Sequence, residues 1–215
     1  MSDSKTLKRY YDKLRQNFGP QHWWPGDGPF EVMVGAVLTQ NTNWGNVEKA
    51  INNLKEAGEL SPTAIYKMRQ DKLARLIRPS GYFNIKAKRL KGLIKWFVDR
   101  FDGDIQKMFS QDLQGLREEL LSVKGVGPET ADSILLYAGN LPSFVVDTYT
   151  YRVLVRHQLI FEESTYDDIK SFFEDNLPED IAMYNEYHAL LVQVGKRYCK
   201  PREPSCEDCP LNEFL

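Results

Sequence analysis

A helix ending in leucines, a tight Gly-x-Gly turn and a second helix opening on proline restrict this chain more than any other segment. The residues are Leu120-Leu121-Ser122-Val123-Lys124-Gly125-Val126-Gly127-Pro128-Glu129-Thr130-Ala131-Asp132. Proline suits the first turn of a helix, where its missing N–H has no partner to lose. Gly125 and Gly127 allow positive φ and a close approach to another surface. The turn amides and the start of the second helix then face outward as donors, a seat for a phosphate oxygen. A lone Gly-x-Gly is weak evidence. It gains weight from the apolar run Ser143-Phe144-Val145-Val146, which ends downstream on Asp147-Thr148.

The rest of the chain is also patterned as helix. Helical spacing of apolar residues predicts helices over 30–40, 46–57, 65–77, 85–101, 112–121, 128–137, 148–158, 166–176 and 181–198. Gly58 is a stop and Ser61-Pro62 a restart. Gly81, Gly103, Gly139-Asn140 and Pro178 separate the later helices. No alternating segment demands a sheet and no internal repeat is visible. The expected fold class is all-α, in two lobes. One lobe takes 1–28 and 148–215, the other 29–147, because the C-terminal part has to pack back beside the N-terminal residues.

At 215 residues the chain can bury a substantial core. No apolar stretch is as long as a membrane span, and Met1-Ser2-Asp3-Ser4-Lys5 is not a secretory signal, so an intracellular protein in the cytoplasm or nucleoid is expected. The formal net charge of −2 argues weakly against a polyanionic partner, but the charges are unevenly distributed. Lys72, Arg75, Arg78, Lys86, Lys88, Arg89, Lys91, Lys95 and Arg100 crowd 71–100, while acids crowd 161–180. That asymmetry suits one face for an anionic polymer, with an ordinary solvated helix face as the alternative. Cys199, Cys206 and Cys209 fall in a C-x6-C-x2-C pattern. Clustered thiols in an intracellular chain read as metal or cluster ligands rather than disulfides, with free thiols or zinc as alternatives. Asp147 is a candidate helix N-cap and equally a candidate catalytic carboxylate.

The hairpin and the Val145-Val146-Asp147-Thr148 element together resemble the helix-hairpin-helix DNA glycosylases of the endonuclease III superfamily. The resemblance extends from Trp23 to Cys209. It includes Pro29-Phe30-Glu31, Leu38-Thr39-Gln40-Asn41-Thr42, Pro79-Ser80-Gly81-Tyr82-Phe83-Asn84 and Lys86-Ala87-Lys88-Arg89-Leu90. The branch that includes 3-methyladenine DNA glycosylase III is the most similar. It shares the tryptophan-rich His22-Trp23-Trp24-Pro25, the Gln40 segment and the hairpin glutamate.

The resemblance implies a DNA cleft between the lobes and DNA contacts from Val123, Lys124, Gly125, Val126 and Gly127. Asp147 becomes the catalytic carboxylate, stabilising positive charge on the sugar as the base leaves. Bifunctional members carry a Schiff-base lysine where this chain has Glu129, so the resemblance implies base release without strand cleavage. Trp24 and Trp44 match the aromatic pair that sandwiches the flipped base, and a ring face attracts a cationic alkylated purine. Trp23 is expected to be structural. Gln40 matches the glutamine that fills the gap left by the flipped nucleotide. His188 is expected to be a buried histidine with satisfied partners, and Lys196 an exposed lysine within reach of phosphate.

The cysteine spacing opens the family's [4Fe–4S] loop, but the fourth cysteine position is Leu215. A cluster here has three cysteine ligands and an unidentified fourth. No nucleotide cofactor is implied. The expected partner is double-stranded DNA containing damaged bases, bound by a monomer without membrane attachment. The leading expectation is excision of alkylated purines such as 3-methyladenine. The alternatives are another lesion (a uracil or thymine mismatch, or an oxidised base) and non-catalytic damage binding.

Overall fold

The computed structural model describes residues 2–23 and 26–215. It is helical throughout, and no strand forms among the described residues. The chain divides into a terminal unit, 1–23 with 142–215, and a central unit, 24–141. The lobe boundary expected at 147 therefore moves back to Leu141, and Asp147 belongs to the terminal unit. Among the described residues no helix is long and apolar enough to cross a membrane.

The chain opens with α1 (Asp3–Phe18), part of the terminal unit. Leu7, Tyr10, Tyr11 and Leu14 recur at helical spacing, and all four are buried. The central unit carries α2 (Pro29–Leu38), α3 (Trp44–Glu56), α4 (Pro62–Lys67), α5 (Gln70–Leu76), α6 (Phe83–Phe101), α7 (Ile105–Phe109), α8 (Leu113–Ser122) and α9 (Pro128–Ser133). A π-helical turn, Ile134–Ala138, prolongs α9. Their apolar faces meet in one core that runs from Met33 to Leu135 and includes Leu54, Leu93 and Phe97. The terminal unit resumes with α10 (Thr148–Arg156), α11 (Tyr166–Glu174) and α12 (Ile181–Arg197). Both α1 and α10 pack on α12.

Local chemistry accounts for the boundaries. Asn43, Ser61, Asp104, Asp112, Asp147, Thr165 and Asp180 each cap a helix by accepting from a backbone N–H of its first turn. The helix expected over 65–77 is two helices, because Met68 and Arg69 are extended. Lys91 on α6 donates to the carbonyls of Ile65, Tyr66 and Met68, satisfying the end of α4 from outside.

Candidate active site

The run into Asp147 is buried and tied down. Phe144 stacks on Phe173 with ring centroids 3.9 Å apart. The Phe144 N–H donates to Glu174 at 2.8 Å, and the Val146 N–H to the Tyr166 hydroxyl at 3.3 Å. Asp147 then caps α10, its Oδ1 accepting from the Thr150 N–H at 2.7 Å. Its Oδ2 lies 3.4 Å from Nε2 of His188, a buried residue of α12. Gly195 allows this approach: a β-carbon there would collide with the Tyr149 ring, so only glycine lets α10 pack so closely on α12. Trp23 meets His188 edge-on at 6.2 Å, and Lys196 Nζ sits 5.6 Å from the centre of the Trp23 ring. Lys196 is thus engaged with an indole as well as being a surface cation. Burial pushes the Asp147 carboxyl up. The His188 imidazole alongside, with the hydrogen bond from the Thr150 N–H, more than offsets that and holds the carboxyl below the usual range. The capping and carboxylate readings of Asp147 are compatible, since one oxygen caps the helix and the other faces His188.

The hairpin belongs to the central unit: α8, a turn over 123–127, and α9. Val123 and Val126 turn inward and are buried, while Lys124 is exposed. Gly125 adopts φ +95°, as expected. Gly127 does not have positive φ; it is extended at φ −97° and ψ 176°, which any residue adopts. A β-carbon on Gly127 meets nothing within 4 Å, so no intramolecular contact requires glycine there. The two glycines should therefore separate by experiment. Gly125→Ala should lower the urea midpoint, because it puts a side chain at positive φ against Arg89. Gly127→Ala should leave that midpoint unchanged and weaken binding to all duplexes alike, by crowding a phosphate.

Glu129 is exposed on α9. Trp44 opens α3 and packs, partly buried, against the central core. Trp24 lies outside the described residues. Gln40 is not a free amide: its Nε2 donates to Gly125 O at 3.1 Å and to Thr130 Oγ1 at 3.0 Å. Sequence reasoning gives Tyr82 no place among the site residues. It is 69 % exposed and sits at φ +45°, a costly conformation for an aromatic residue. The exposure of an aromatic beside Gly81 is the signal, and it emerges only from the fold.

Most of the basic side chains over 71–100 have partners within the chain. Lys72, Arg75, Lys95 and Arg100 pair with Glu59, Asp71, Asp99 and Glu119. Lys86 and Lys91 donate to backbone carbonyls, and Arg89 to Gln40.

Cys199, Cys206 and Cys209 line one small cavity together with Arg156, His157 and Leu215. Arg156 Nη1 lies 3.2 Å from the Cys199 sulfur. Burial pushes the Cys209 thiol up, and its two neighbouring cysteines add to the shift. Among the described residues no three His, Cys, Asp or Glu side chains converge closely enough to hold a metal ion. With Leu215 at the fourth position, the donor set does not fit a cluster held by four protein thiolates.

The family model described as "HhH-GPD superfamily base excision DNA repair protein" matches residues 34–179. The chain belongs to that superfamily and to its endonuclease III-like DNA glycosylases. It is 50% identical over 212 residues to the "Putative DNA repair glycosylase MJ1434" of Methanocaldococcus jannaschii, covering 98% of this chain and 96% of that one. It resembles the crystal structure of Helicobacter pylori 3-methyladenine DNA glycosylase (MagIII) bound to 1,N6-ethenoadenine. That match has a TM-score of 0.77 and 32% identity, covering 92% of this chain and 98% of the other. A trapped endonuclease III–DNA covalent intermediate shares the fold, with a TM-score of 0.84 at 23% identity over 100% of this chain and 96% of the other.

Proposed function

We propose that this protein is a monofunctional DNA N-glycosylase that releases alkylated purines such as 3-methyladenine from double-stranded DNA and leaves an intact abasic site. Asp147 carries the reading: it is a carboxylate with its side chain 10% exposed, held ionised beside His188 and Thr150, in a chain of a base excision repair family. As the base departs, positive charge develops on the sugar. A fixed anion beside it stabilises that charge and orients the attacking water. The hairpin turn over 123–127 grips the phosphates, with Lys124 as an exposed cation.

Glu129 supports base release without strand cleavage, because a carboxylate cannot form an imine and Lys124 lies on the other side of the turn. Release of 3-methyladenine from alkylated duplex, compared with excision from uracil and oxidised-base duplexes, tests the substrate. Borohydride treatment tests the step: wild-type protein should give no covalent adduct with substrate DNA. A strong adduct would show that another amine acts as nucleophile.

The alkyl-purine preference rests on Trp44, Trp24 and the likeness to an alkyl-adenine glycosylase. Trp44→Leu keeps apolar bulk and removes the ring face. Selectivity for 3-methyladenine over neutral lesions should fall roughly tenfold in relative kcat/KM if the cation–π contact is desolvated. Trp44→Phe should retain much of the preference. Equal losses on charged and neutral lesions would reduce Trp44 to a packing residue of the central core. A [4Fe–4S] cluster at the cysteine loop would have at most Cys199, Cys206 and Cys209 as thiolate ligands, with a fourth ligand from elsewhere. Iron and sulfide content of anaerobically purified protein measures it.

A further inference from the structure

Asp147 ends an extended run over 142–147 in which Ser143, Phe144, Val145 and Val146 are all buried. A buried amide needs an acceptor, and in an extended chain the usual one belongs to a neighbouring strand. No strand forms among the described residues, and this run takes acceptors from side chains of α11 instead. The Phe144 N–H meets the Glu174 carboxylate at 2.8 Å, and the Val146 N–H meets the Tyr166 hydroxyl at 3.3 Å. Amides two residues apart in an extended chain point the same way, so both face the same helix.

That helix is built to receive them. Tyr166, Lys170 and Glu174 recur every fourth residue and share one face of α11. Lys170 is 8 % exposed and is the ion-pair partner of Glu174, which fixes the carboxylate that accepts the Phe144 amide. The Phe144 ring is held as well, stacked on Phe173 and edge-on to Tyr184 and Tyr187 of α12.

We infer that Glu174, together with Tyr166, is a positioning residue for Asp147: α11 stands in for the missing strand and sets where the carboxylate comes to rest. The inference rests on the reading of Asp147 as the group that acts on the sugar. The Thr150 N–H and His188 orient the carboxylate at its own end, whereas α11 fixes the chain that delivers it. Glu174 and Tyr166 meet backbone amides of the run, so each acts through Asp147. The distance scale makes this matter, since a misplacement of about 1 Å at a reacting group costs on the order of a hundredfold in rate.

The test uses the full chain and two double variants that differ only in the acceptor. Lys170→Met with Glu174→Met removes the ion pair and the acceptor, leaving no unpaired charge inside. Lys170→Met with Glu174→Gln removes the same charges and keeps an acceptor oxygen. Single-turnover release is read on whichever of the alkylated, uracil and oxidised-base duplexes wild type processes fastest. The first double variant should slow the limiting rate roughly tenfold to a hundredfold, with the half-saturating enzyme concentration unchanged. The second should recover most of the rate. Tyr166→Phe, which keeps the ring, should slow release roughly threefold to tenfold, the range of one hydrogen bond. Hydrogen exchange across 143–147 should quicken in the first double variant and stay slow in the second.

Equal limiting rates in the two double variants would overturn the inference. So would a loss confined to reaction amplitude, since fewer folded molecules reacting at the wild-type rate is what a merely structural role gives. If the first double variant does not fold, an undiminished limiting rate in Tyr166→Phe overturns it alone. Wild type that releases no base from any duplex would sink the glycosylase reading and this role with it. The exchange contrast would then still report whether α11 holds the run.

Discussion

Asp147→Asn should abolish base release while the protein still folds and still binds DNA. The substitution isolates charge. Asparagine ranks with aspartate as an N-cap, and its side-chain oxygen can accept from the Thr150 N–H as Oδ1 does now. The buried run from Phe144 to Val146 and the packing of α10 on α12 are untouched. What disappears is the anion that faces His188 and, in the proposed reaction, the sugar. Loss of one group acting directly on the transition state is expected to reduce single-turnover release on the order of 10²–10⁴-fold. Affinity for undamaged duplex should stay near wild type. A loss of only a few-fold would remove Asp147 from the chemistry and leave it a cap.

The same carboxyl predicts a pH signature. Burial opposes its ionisation, but His188 and Thr150 hold it below the ordinary range. Its folded value therefore lies below its unfolded one. The stabilisation is present above the unfolded value and is lost as pH falls through the folded value. Urea midpoints of wild type and Asp147→Asn should converge as the medium becomes acid. A constant gap would mean that the carboxylate's charge contributes nothing to stability.

Local chemistry made much of this molecule readable from the sequence. The hairpin, the start of α9 at Pro128, the restart at Ser61-Pro62 and the apolar run into Asp147 all follow from backbone preferences that act over a few residues. Asp147 was legible as cap and as carboxylate, but its neighbour across the unit was not. His188 lies on a helix whose spacing says only that it faces inward. Tertiary contacts override local signals elsewhere. Residues 65–77 have the spacing of one helix, yet Lys91 supplies the donors that let the chain break at Met68. A lysine's destination cannot be read from a charge count. Lys86 and Lys91 look like parts of a basic surface, whereas the fold turns both onto carbonyls. Gln40 illustrates the same limit, since a polar residue in a turn shows nothing of the Gly125 carbonyl and Thr130 hydroxyl it donates to. The helix α1 is a different case, because its Leu7, Tyr10, Tyr11 and Leu14 spacing was there to be read.

Asp132→Ala should destabilise the protein more than any surface change. The Asp132 side chain is completely buried and the Arg117 side chain only 12% exposed. Two parallel bonds join them, Nε to Oδ1 at 2.8 Å and Nη2 to Oδ2 at 3.1 Å. Arg117 lies on α8 and Asp132 on α9, so the pair clamps the two helices of the hairpin at a point set back from its turn. Removing the carboxylate takes this counter-charge away from a guanidinium in the interior. Breaking a buried pair in this way costs about 3–5 kcal/mol, a large part of the net stability of a typical domain. Urea unfolding should show that loss as a lower midpoint. Replacing both partners with apolar residues, Arg117→Met with Asp132→Leu, should recover much of it, because the desolvation of both charges disappears with them. A single variant that loses less than about 1 kcal/mol would place the clamp elsewhere, since that is the range of an exposed pair. If the pair does hold the hairpin, the apolar double variant separates stability from function. It should fold well, yet any change in the angle between α8 and α9 will appear as weaker binding to every duplex, damaged or not.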